Sequence, residues 1–220
     1  MTSSEIVSFL TTEIEPLPHN IYGSRYRAAA YLTDGTYLPC VVFQSKRRQV
    51  NLALRRFAEL KDKPEAYRAV VESFAANKSC VADYEILRIE ASRFAWPLST
   101  LRQIHGETRM GWTAFVVEMN DGRRFSYGTS FRFEFFDLPS GYGFRDIKEI
   151  HSGMVHLDSD GTQPFTMDRH KQAECFREKP LFTCYLEGID IPDQDSEPSH
   201  VEKKSSLRDR WFRVRAENGT

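Results

Sequence analysis

Two hydrophobic rhythms alternate along the chain, a period of two that marks strands and a period near 3.6 that marks helices. Thr113–Met119 leads through Asn120-Asp121-Gly122 into Arg123–Phe136. There Phe125, Tyr127, Thr129, Phe131, Phe133 and Phe135 fall on one side, and Arg124, Ser126, Gly128, Ser130, Arg132 and Glu134 on the other. Alternation of this length predicts one long half-buried strand with its rings in the core. An earlier hairpin is predicted from Arg27–Thr33 and Tyr37–Gln44 about Asp34-Gly35, because the tight turn needs positive φ values that Gly tolerates. Further strands are expected at Val81–Ala91, Phe144–His151, Met154–Leu157 and Leu181–Glu187, with a turn at Asp158–Gly161.

The helical rhythm appears first at residues 4–14, where Thr2 and Glu5 have capping-box spacing and Pro16 and Pro18 close the segment. From Ser45 onward, Val50, Leu54, Phe57 and Leu60 form an amphipathic stripe. Pro64 suits the first turn of a second helix, with Tyr67, Val70, Val71 and Phe74 on one face. Pro97 opens a short helix carrying Leu98, Leu101 and Ile104. The fold class is therefore α+β, mostly antiparallel β hairpins and meanders with an inserted helical hairpin at about 46–76.

A possible duplication follows from the same pattern. Glu85-Ile86-Leu87-Arg88-Ile89-Glu90-Ala91-Ser92 parallels Asp146-Ile147-Lys148-Glu149-Ile150-His151-Ser152-Gly153, and each run follows an Asp-Gly hairpin. Gly35 and Ile86 are 51 residues apart and Gly122 and Ile147 are 25 apart; the excess is close to the length of the helical pair. The economical reading is two copies of a hairpin-plus-strand unit, over 20–95 and 108–189, the first holding the insertion. An acidic-Ile-x-x-Ile strand after a hairpin is similar to what small Sm-like and SH3-like barrels show. That pattern is shared by many unrelated families; it implies two tandem small-barrel-like units and carries no site residue with it.

Composition narrows the field. Apolar residues make up 40%, with 16 Phe and 9 Tyr, and 30 Lys and Arg against 31 Asp and Glu leave a net charge of −1. Such a balance supplies no general pull toward nucleic acid or an anionic membrane, so a partner of that kind must be read from a local patch. The N-terminus lacks the basic and apolar regions of a signal peptide, and no apolar run nears the roughly 20 residues that cross a bilayer. Cys40, Cys80, Cys175 and Cys184 show no Cys-x-x-Cys spacing. The expectation is a cytoplasmic protein with reduced thiols. Residues 1–189 read as one globular body. Residues 190–202 are acidic and Pro/Ser-containing, and 203–215 are basic, which reads as a linker and a charged tail.

Catalytic motifs fail on spacing. His105-Gly106-Glu107 has the His-x-Glu form of zinc deaminases without the Pro-Cys-x-x-Cys that completes their metal set. Asp158-Ser159-Asp160-Gly161 starts like a calcium loop, but its sixth and twelfth positions are Gln163 and Arg169 where Gly and Glu are needed. His151, His156, His170, Cys175 and Cys184 match no compact zinc spacing, and nothing flanking Cys175 or Cys184 marks an activated thiolate. Gly141-Tyr142-Gly143 opens no helix and so forms no phosphate loop. No catalytic residue, metal or cofactor is assigned.

Two surface features remain. Residues 45–71 hold eight basic residues against three acidic ones, among them Lys46, Arg47, Arg48, Arg55 and Arg56, which suit phosphate contacts. The tail segment Arg208, Arg210, Trp211, Phe212 and Arg213 has the residue types that anchor interfaces. The leading expectation is a non-enzymatic adaptor or regulator that binds another protein or a second copy of itself. RNA or DNA binding by barrel-like units and the basic helix 46–63 is the alternative. A hydrolase whose His and acidic residues converge only in the fold is the third.

Overall fold

The computed structural model describes residues 1–19, 23–60, 63, 65–70, 79–108, 111–130 and 132–189. Its first element is fixed by a cap. Thr2 N–H donates to Glu5 Oε2 at 2.6 Å and Glu5 N–H to Thr2 Oγ1 at 3.3 Å, so donors at the helix start are satisfied. This starts helix α1 (Ser3–Glu13), whose Ile6 and Leu10 are fully buried against the first sheet.

That sheet grows from the Asp34-Gly35 hairpin between β1 (Tyr26–Leu32) and β2 (Tyr37–Ser45). A bulge between Ala28 and Ala30 shifts the register, so Leu38 and Val41 face the same core although three residues apart. Helix α2 (Lys46–Glu59) leaves β2 without a linker, since Ser45 ends the strand and accepts Arg48 N–H on its hydroxyl at 3.1 Å. Helix α3 (Ala66–Val70) packs against α2, forming the helical insertion. The chain returns through β3 (Cys80–Val81) and a 3-10 turn (Asp83–Glu85) into β4 (Ile86–Ala91), antiparallel to β1.

The second sheet repeats this order. Helix α4 (Leu98–Leu101) precedes the hairpin of β5 (Thr113–Met119) and β6 (Arg124–Thr129). A 3-10 turn (Phe144–Asp146) then delivers β7 (Ile147–Ser152), antiparallel to β5. The hairpin of β8 (Met154–Leu157) and β9 (Gly161–Pro164) follows, then helix α5 (Met167–Gln172), β10 (Cys175–Arg177) and β11 (Phe182–Leu186). β10 joins β6 in parallel, and β11 joins β2 in parallel. The sheets run β3-β11-β2-β1-β4 and β10-β6-β5-β7.

Correspondence between the two sheets extends to single bonds. Leu32 pairs with Ile86 just past a register slip in β1–β4, and Met119 pairs with Ile147 just past a slip in β5–β7. Thr33 N–H donates to Glu85 O at 2.8 Å, and Asn120 N–H to Asp146 O at 2.8 Å. In the turns, Asp34 Oδ1 accepts Thr36 N–H at 2.9 Å and Asp121 Oδ1 accepts Arg123 N–H at 3.0 Å. Gly35 and Gly122 take φ of +87° and +84°, the left-handed region each turn requires.

Among the described residues three cores hold the body, which packs as one unit. The first lies between α1 and the sheet around Tyr26, Ala28, Phe43, Ile86 and Ile89. The second centres on Trp96, whose indole N–H donates to Phe136 O at 3.2 Å amid Phe115, Val117, Tyr127 and Ile150. A smaller cluster joins Cys40 and Val42 to Phe94 and Phe135. Beside it, buried Arg25 donates to buried Glu134 at 2.6 Å, and Arg27 donates to Glu134 O at 3.3 Å. Burial draws the Arg27 guanidinium down to about 10, still protonated at neutral pH.

Several expectations change, among them the strands expected at Val81–Ala91 and Phe144–His151, where Asp83–Glu85 and Phe144–Asp146 form 3-10 turns. No barrel closes among the described residues; both main sheets are open, each with a parallel strand at or near its edge. The strand expected over Arg123–Phe136 ends at Thr129, because the Thr129 hydroxyl bonds both Arg132 N–H at 3.0 Å and Arg132 O at 2.9 Å and turns the chain away. Beyond that turn Glu134 is buried on the side expected to be polar and exposed, paired with Arg25. The rings are still interior: Tyr127 and Phe135 are buried, and Phe125 and Phe133 pack on the second core; Phe131 lies outside the described residues. Finally, the stripe on α2 does not face a core.

Candidate functional site

Helix α2 is the element where sequence pattern and structure disagree most. An amphipathic stripe ordinarily turns inward. Here Val50, Leu54 and Phe57 are 48%, 62% and 41% exposed, and the buried apolar residue is Leu52. The cap at Ser45 sets the helix phase directly from the end of β2, which turns Leu52 toward the body and the stripe outward. On α3, Tyr67 is 72% exposed; Val71 and Phe74 lie outside the described residues. The result is an apolar strip on a helix with five basic residues and one acidic residue, Glu59.

The basic residues singled out on α2 are partly engaged. Lys46 faces Glu187 at 3.3 Å and Arg56 faces Glu59 at 2.9 Å. Arg48 lies across the backbone of Gly23, where a methyl group would sit 2.8 Å from its guanidinium carbon. Arg47 and Arg55 are also exposed, the first preceding the apolar strip and the second lying between Leu54 and Phe57 in sequence. The tail residues Arg208, Arg210, Trp211, Phe212 and Arg213 lie outside the described residues.

Among the described residues no group of three or more His, Cys, Asp or Glu has ligand geometry. His105 is an exposed loop residue whose backbone N–H donates to Ser152 Oγ at 2.8 Å, while Glu107 accepts Gly111 N–H. His151 does approach carboxylates, Glu118 at 3.5 Å and Glu149 at 3.9 Å. Glu118, however, is held at 2.6 Å by both Lys148 and Arg124, whose donated bonds pull its carboxyl down to about 2. A carboxylate so firmly ionised is a poor general acid or base at neutral pH.

Cys175 Sγ lies 3.7 Å from His170 Nδ1, an approach of a thiol to an imidazole. Burial raises the thiol, and burial together with Arg177 lowers the imidazole. Both shifts oppose the thiolate–imidazolium state that activates cysteine. The His170 ring packs edge-on to Trp112 at 5.1 Å, so this corner reads as packing. The thiols of Cys40 and Cys184 are buried and pushed up to about 12.

Sequence reasoning missed a cleft of about 690 Å³ between Arg93-Phe94 and the loop 137–144. The loop is held at both ends: the Tyr127 hydroxyl donates to Asp137 O at 3.0 Å, and the Tyr142 hydroxyl to Asp121 Oδ2 at 2.6 Å. The run Leu-Pro-Ser-Gly-Tyr-Gly between two strands was its only trace in sequence, and such a run marks a loop without marking its shape. No family model, curated protein or solved structure matches the chain.

Proposed function

We propose that the chain is a non-enzymatic binding protein acting through contacts with another protein, with α2 as the docking element of its body. One observation carries this reading: the apolar strip Val50–Leu54–Phe57 faces outward on a strongly basic helix. Contiguous apolar surface rimmed by charge marks interaction sites. Helices with anchors at this spacing lie in grooves of their partners. Charge complementarity selects an acidic amphipathic partner segment, and it disfavours a second copy packing α2 on α2, where like charges would meet. The tail residues Arg208, Arg210, Trp211, Phe212 and Arg213 supply a second anchor of the same chemistry by residue type. A cytoplasmic setting belongs to the same reading and is supported by four free cysteines. No helix of the described residues is long and apolar enough to cross a membrane.

The test is a pair of full-length variants, Leu54→Glu and Trp211→Ala. Each is expected to keep the melting temperature and to weaken co-purification of one discrete partner from the native source. Unchanged recovery of every co-purifying protein by both variants would overturn the reading.

A further inference from the structure

The cleft beside loop 137–144 lies apart from α2 and is built before any ligand arrives. Its walls are rings that core rings hold in place. Phe176 stacks on buried Tyr127 at 5.3 Å, Tyr142 meets Phe125 edge-on at 5.5 Å, and Phe144 meets Trp96 edge-on at 6.4 Å. Walls backed in this way lose little freedom when a flat ring enters, which is what favours affinity in a small site. Aromatic faces also offer stacking that aliphatic walls do not.

One cation, Arg93, lines the cleft. The Arg93 guanidinium lies 4.5 Å from the Phe94 ring centre, and Lys179 Nζ lies 4.8 Å from the same centre. Asp137 faces Lys179 at 2.7 Å and Asp146 accepts Gly143 N–H, so carboxylates and cations are mixed around the cleft, and Arg93 is the cation among its lining residues. Asp121, which holds the far end of Tyr142, is itself 3.7 Å from Arg123. Arg93 is exposed on the strand-to-loop path and also lines the cleft. Its planar fork suits two oxygens of one carboxylate. In the loop, Gly143 N–H is bonded to Asp146 Oδ2 at 2.7 Å and Tyr142 N–H to Pro139 O at 3.2 Å, so these two donors are already used.

We propose that this cleft binds a small planar aromatic acid, its ring among Phe94, Tyr142, Phe144 and Phe176 and its carboxylate on Arg93. The volume lies within the range of sites that enclose small ligands. This inference is independent of the docking role given to α2, which neither supplies nor needs the cleft.

The test is calorimetric titration of the full chain at low salt with indole-3-acetate, indole-3-acetamide and adenosine monophosphate. The acid is expected to bind roughly fivefold more tightly than the amide, the size of effect an exposed charge pair supports. Arg93→Gln should level the acid and the amide, and Leu138→Trp should fill the cleft and abolish both. Equal binding of acid and amide by the native chain would overturn the proposal. So would an acid preference that survives Arg93→Gln, tighter binding of the nucleotide than of the acid, or no binding of the acid up to about 10 mM.

Discussion

Glu118 shows what a single side chain does in this fold. Its carboxylate receives Lys148 and Arg124 from two neighbouring strands, and its titration is depressed from the ordinary 4.5 to about 2. A depressed folded-state value means that the ionised form is favoured by folding. The stabilisation is complete above pH 4.5 and is lost as pH falls from there toward 2. Glu118→Gln should therefore be less stable than the native chain by a constant margin above pH 4.5, a margin that shrinks toward pH 2. Denaturant melts across that window check it, and a margin that widens on acidification would contradict it. Ile89 and Ile150 occupy equivalent register positions, and both are buried. Truncating either to Ala should cost about 2–5 kcal/mol, whereas Leu54→Ala on the outward strip should stay within about 0.5 kcal/mol in a urea melt. The isoleucines were legible in the sequence because their spacing repeats. Glu134 was not, because its buried partner Arg25 lies 109 positions away and no local pattern announces such a pair.

At the scale of elements, hairpins were legible and element ends less so. Asp34-Gly35 and Asn120-Asp121-Gly122 specify their turns through backbone conformation, a local property, and both hairpins form as expected. The end of β6 depends on one hydroxyl, and the phase of α2 depends on where β2 stops; periodicity carries neither. Helix α5 and strands β9 and β10 gave no readable signal, being 6, 4 and 3 residues long. Gly128 on β6 shows how closely elements fit here, since a Cβ there would overlap the Trp112 indole. Gly128→Ala is expected to displace Trp112, to shift tryptophan emission and to cost about 1–3 kcal/mol. An unchanged spectrum and melt would show that the indole has room to move.

For the whole molecule, the repeated order of hairpin and third strand was visible in outline from the two Ile-x-x-Ile runs. The parallel additions were not visible, because β10 and β11 pair across long stretches of chain. The cleft arises only once strands from both parts of the chain are in place. A binding role is an expectation from the sequence, and α2 carries it as a proposal. If nucleic acid were the partner instead, affinity for RNA or single-stranded DNA would fall steeply with salt and drop on Arg48→Glu with Arg55→Glu. The docking account predicts weak binding that those changes leave without sequence or strand preference, as read by fluorescence anisotropy. Site-specific photo-crosslinking in the native cell tests the central claim most directly. A photoreactive residue at position 54 is compared with one at position 87, an equally exposed leucine on β4, 57% accessible against 62%. The account predicts a discrete protein adduct from position 54 that disappears with Arg47→Glu and Arg55→Glu, and none from position 87. Identical adduct patterns from the two positions, or none from position 54, would contradict it.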